Sequence, residues 1–94
     1  MKNKSLLREM KVKVTNEAGL HARPASEFVQ AAKKFKSTIR VIKDGIEADA
    51  KSIISVLSLG VEKGMEISII AEGEDAEEAI KELVSIIRKN GDES

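Results

Sequence analysis

A chain of 94 residues is long enough for one domain around one hydrophobic core and too short for two. Its 16 Lys and Arg cancel its 16 Asp and Glu, so no net field draws it to nucleic acid or an anionic membrane. With Phe28 and Phe35 as its only aromatics, it also has little to stack on bases. Cysteine is absent, which fits a reducing compartment, so a cytoplasmic location is expected. The start of the chain lacks the apolar run of a signal peptide or a membrane span.

The lysine-rich residues 1–9 are expected to be a frayed extension, followed by a single domain over 10–90 and a short tail over 91–94. Met10, Val12 and Val14 alternate with Lys11, Lys13 and Thr15, the period of a half-buried strand. Asn16-Glu17-Ala18-Gly19 then makes a loop. Ala22, Ala25, Phe28, Val29 and Ala32 follow helical spacing to about Lys34, which puts Pro24 in the first turn, where a missing N–H costs nothing. Thr38–Lys43 and Ile46–Ala50 flank Asp44-Gly45, the signal of a two-residue type I′ hairpin. Ser52 can cap a short second helix that Gly60 closes in a left-handed C′ position. Glu66–Ala71 reads as an interior fourth strand. Asp75 and Glu78 form a capping box for a last helix, whose stripe of Ala76, Ala79, Ile80, Leu83, Val84 and Ile87 runs to a stop at Lys89-Asn90-Gly91. The order β-α-β-β-α-β-α implies an α+β fold with an antiparallel sheet and helices packed on one face.

The sole histidine and the sole proline share one stretch, Gly19-Leu20-His21-Ala22-Arg23-Pro24-Ala25. A lone histidine in a small domain is ordinarily exposed or satisfied in the core. Here it falls at a helix N-terminus, where unpaired N–H groups and the helix dipole favour an anion such as phosphate. A neutral imidazole has a free ring nitrogen able to attack phosphorus, and the planar fork of Arg23 can pair with the transferred oxygens. Gly19 permits the tight backbone that swings the ring over the helix end. No Asp or Glu lies in Leu20–Ser26 to activate water, so His21 is better placed to hold a phosphoryl group than to release it. No metal or other cofactor is called for. Residues 1–63 carry 13 Lys/Arg against 7 Asp/Glu and residues 64–94 carry 3 against 9, so the His21 end is the basic end. That division suits docking on an acidic partner, and equally an ordinary pair of solvated faces.

The segment Gly19–Ala25 resembles the active-site segment of HPr, the histidine phosphocarrier family of the bacterial phosphoenolpyruvate:sugar phosphotransferase system. Lys51-Ser52-Ile53-Ile54-Ser55-Val56-Leu57-Ser58-Leu59-Gly60 is similar to that family's regulatory segment, and the resemblance runs from about Met10 to Arg88. It implies an open-faced β-sandwich, a four-stranded antiparallel sheet with three helices on one face. It also implies a carrier rather than an enzyme: His21 would accept a phosphoryl group from phospho-enzyme I and pass it to enzyme IIA domains, with Arg23 as the phosphate clamp. Ser52 would be a candidate phosphoserine for an HPr kinase/phosphorylase and a contact for a transcriptional regulator. Without the resemblance, a serine ahead of an apolar run is an ordinary N-cap. Ile53, Ile54 and Leu57 exceed what so short a helix can bury, and with Ala22 and Ser26 they would form the partner-docking surface. The expected state is a monomer. Ala18 stands where family members often carry Asn, Ser or Thr, and Ser55 where Gram-positive members often carry Gly. The alternative is an HPr-like paralogue acting mainly as a regulatory binding protein in carbon or nitrogen control. An RNA-binding α+β module has the same opening order of elements, but the strands lack its aromatics.

Overall fold

The computed structural model describes residues 6–91. Alternating apolar and polar residues give four strands, and apolar stripes of helical period give three helices: β1 (Leu7–Lys13), α1 (Ala22–Lys33), β2 (Thr38–Lys43), β3 (Ile46–Asp49), α2 (Ile53–Ser58), β4 (Glu66–Glu72) and α3 (Ala76–Gly91). The sheet is antiparallel throughout, in the order β1-β4-β2-β3, which makes β4 an interior strand as its apolar character requires. One face carries Val12, Ile67, Ile69, Ala71, Ile39, Val41 and Ala48, all buried beneath the helices. The other carries Lys11, Ser68, Ile42 and Glu47 side by side in register and is left open. From the helices, Phe28, Val29, Val56, Ala79, Leu83 and Ile87 complete the core. This is the expected open-faced α+β sandwich. Among the described residues no helix is long and apolar enough to cross a membrane.

The hairpin forms as its turn demands. Asp44 (φ 51°) and Gly45 (φ 81°) both lie in the left-handed region that a type I′ turn needs, and Lys43 pairs with Ile46. Gly60, at φ 64°, follows the C-cap Leu59 of α2.

Three expectations need correction. The first strand begins at Leu7 rather than Met10: Leu7, Arg8 and Glu9 pair with Glu72, Ala71 and Ile70, so this part of the expected extension is sheet. The exposed side chains of an edge strand hide that pairing from a search for alternation. Residues 1–5 and 92–94 lie outside the described residues. The second correction concerns Asp75, whose carboxylate turns away from α3 and across to the α1–β2 connection. It accepts from the backbone N–H of Lys36 at 2.8 Å and from the N–H and hydroxyl of Ser37 at 3.0 and 2.5 Å. Ser37 is fully buried and its donors would be orphaned otherwise, so the long-range bonds win over the local cap. At the far end, helix α3 includes Gly91 instead of stopping before it.

Candidate functional site

Two loops lying against each other carry the first segment. Val14 donates its N–H to Met65 (2.8 Å), Gly64 donates to Val14 (2.7 Å), and Leu20 donates to Val61 (3.1 Å). Gly19 adopts φ 61° with its Cα against the Val61 carbonyl, where a side chain could not fit. Lys63 and Glu17 add an exposed bridge at 2.6 Å, and the hydrogen bond and charge of Lys63 hold the Glu17 carboxyl below the usual range. Asn16 is buried, accepting from the Gly19 N–H and donating its side-chain amide to the Gly19 carbonyl at 2.9 Å.

This platform delivers His21 as the N-cap residue of α1, extended at φ −129° and ψ 166°. Its side chain makes no capping hydrogen bond, so the half-buried imidazole is not committed to the helix it begins. The first turn contains no acidic residue. Arg23 and Ser26 are exposed, and neither side chain has a hydrogen-bond or ion-pair partner among the described residues; Arg23 is free to close on an anion at the helix end. Ala22, also exposed, takes φ 52°, a left-handed conformation costing roughly 1–2 kcal/mol in a residue with a Cβ. Nothing in an alanine advertises that strain, and it sits directly beside the candidate nucleophile.

The second segment starts α2. Asp49 accepts the Lys51 N–H on its side chain at 2.9 Å and the Ser52 N–H on its carbonyl at 3.0 Å, while Lys51 Nζ donates to the Phe35 carbonyl at 2.7 Å. Ser52 is thereby held as the N-cap, and its hydroxyl oxygen accepts from the Ser55 N–H at 3.3 Å. Val56 alone of this helix is buried; Ile53, Ile54 and Leu57 are 39%, 73% and 40% exposed. Helices α1 and α2 pack against each other, so the Ser52 helix and its aliphatic patch neighbour the helix headed by His21. The described residues include no cluster able to hold a metal ion.

Residues 8–89 match the family model described as the PTS HPr component phosphorylation site. The chain is 43% identical to the HPr-like protein Crh of Bacillus subtilis over 81 residues, 86% of this chain and 95% of that protein. It is 44% identical to the phosphocarrier protein HPr of Vibrio cholerae over 79 residues, 84% of this chain and 93% of that one. The crystal structure of HPr-C-His from Thermoanaerobacter tengcongensis superposes with a TM-score of 0.89 at 48% identity, covering 93% of this chain and 98% of that one. With the match running from the first strand to the end of the last helix, on the fold that the family's structures share, the chain belongs to the HPr family of phosphocarrier proteins.

Proposed function

We propose that the chain relays a phosphoryl group through His21, from phospho-enzyme I to sugar-specific enzyme IIA components. The observation that carries this reading is the state of His21: half-buried at the N-cap of α1, free of any capping bond, with no acid in the first turn. A ring nitrogen lone pair attacks phosphorus, the new P–N bond forms, and the bond from phosphorus to the donor's leaving atom breaks and returns its electron pair to the donor. The helix N-terminus and the Arg23 guanidinium offset the charge on the transferred oxygens. With no acidic residue in the first turn of α1 to activate water, the phosphohistidine lasts long enough to meet an acceptor. The exposed Ile53, Ile54 and Leu57, with Ala22 and Ser26, supply the surface on which partners dock. Both segments lie on one chain, so a monomer suffices. Phosphoenolpyruvate with enzyme I should label the protein in an acid-labile, hydroxylamine-sensitive form, and an enzyme IIA should remove the label; failure to label ends this reading.

A regulatory reading is favoured by Ser52, whose hydroxyl stands at a helix start where about −1.5 to −2 charges are electrostatically acceptable. Phosphorylation there changes contacts without refolding the domain, hindering an acidic enzyme I surface or recruiting a transcriptional regulator. Acid-stable labelling from ATP with an HPr kinase/phosphorylase, lost in Ser52→Ala, tests it.

A further inference from the structure

We infer that Asn16 is a positioning residue for phosphoryl transfer at His21, a role that rests on the phosphocarrier reading above. The His21 ring has no capping bond to steady it, so its place over the helix end leans on how the backbone to either side is held. On the far side that backbone is α1, anchored by the buried Ala25, Phe28 and Val29. On the near side it is the peptide joining Gly19 to Leu20, and both poles of that peptide are held. Its N–H, on Leu20, donates to the Val61 carbonyl at 3.1 Å; its carbonyl, on Gly19, accepts from Asn16 Nδ2 at 2.9 Å.

Asn16 and Ser37 are the buried polar side chains among the described residues. Ser37 is engaged by Asp75, in a connection that fastens α1–β2 to α3. Asn16 spends its buried amide on the Gly19–Leu20 peptide, one residue ahead of His21. The only backbone bond closing the same turn, Gly19 N–H to the Asn16 carbonyl, is a long 3.2 Å. Losing the side-chain donor therefore leaves the Gly19 carbonyl without its partner, the Gly19–Leu20 peptide held at one pole only, and the strained Ala22 next to His21 less firmly determined. The neighbouring Ala18 and the exposed Glu17 offer no substitute, since one lacks polar atoms and the other is paired outward with Lys63.

The test is steady-state phosphorylation by enzyme I and phosphoenolpyruvate of the full chain, its Asn16→Ala and Asn16→Asp variants, and a Val84→Ala control that loses stability in α3, away from the site. Asn16→Asp keeps the shape and replaces the donor by an oxygen, so it serves if the alanine variant does not fold. The expected result is a fall in kcat of about tenfold in the folded Asn16 variants, the scale of a misplaced reacting group, with a much smaller change in KM because the exposed Ile53, Ile54 and Leu57 of the docking surface are untouched. Wild-type kcat in either folded variant overturns the role, as does an equal loss of kcat in Val84→Ala. A wild-type chain that takes no label at all is a separate result, which overturns the phosphocarrier reading itself.

Discussion

Replacing Gly19 by alanine strikes the contact on which the active-site loop rests. A Cβ there would stand 2.3 Å from the Val61 carbonyl oxygen and 2.8 Å from the Glu62 Cα, against an ordinary closest C···O approach of about 3.3 Å, so the two loops must part by about 1 Å. The left-handed backbone at φ 61° costs alanine about 1 kcal/mol relative to glycine, forced overpacking adds about 1–3, and losing the Leu20 to Val61 hydrogen bond adds about 1. A total near 3 kcal/mol or more lowers the melting temperature of a domain this size by about 12 °C or more. Because the chain has no Trp or Tyr, far-UV circular dichroism is the suitable melt. Gly45→Ala is the control: it has φ 81° and nothing within 4 Å, so it reports backbone strain without the clash. Phosphorylation below the melting transition should slow in Gly19→Ala and stay unchanged in Gly45→Ala. A Gly19→Ala protein that melts with Gly45→Ala and accepts phosphate at the wild-type rate would refute the loop-on-loop account.

Ser52→Asp should melt no lower than wild type, since aspartate caps as well as serine and gains roughly 0.3–1 kcal/mol from the dipole. It should also be phosphorylated more slowly at low salt, and an unchanged rate there removes the switch while leaving the cap. Arg23→Lys should hold stability within about 0.5 kcal/mol, its side chain being exposed and unpartnered among the described residues, yet transfer more slowly; equal transfer rates count against the clamp. The hydroxyl of Ser37 and the N–H of Lys36 hold the Asp75 carboxyl below the usual aspartate range. The unfolded chain, with its carboxyl near the ordinary value of about 3.9, then binds more protons between the two values. Stability from this group is complete above about pH 4 and drains away as pH falls through the folded value. Urea midpoints from pH 7 to pH 3 should therefore fall less steeply in Asp75→Asn than in wild type.

What the sequence made legible follows physical range. The hairpin at Asp44-Gly45, the Ser52 cap and the stripe of α3 rest on residues within four positions of each other, and each formed as expected. Asp75 shows the limit: its local signature was that of a capping box, and its carboxylate instead reached Lys36 and Ser37, nearly forty residues away in sequence. Leu7–Glu9 were missed because an edge strand is fixed by its partner's backbone rather than by its own side chains. At the site, the position of His21 at the head of α1 was readable from Pro24 and the apolar period. The bond from Asn16 to Gly19 and the left-handed Ala22 were not: the first belongs to a turn seated on Val61 through the Leu20 N–H, and nothing in an alanine side chain signals φ 52°.

The central claim, that His21 carries the phosphoryl group, is tested most directly by parallel labelling of wild type and His21→Ala with phosphoenolpyruvate and enzyme I. Wild type should take close to one acid-labile phosphoryl group per chain. His21→Ala should take none while melting within a few degrees of wild type, its ring making no capping bond to lose. Acid-labile label retained in His21→Ala would contradict the account.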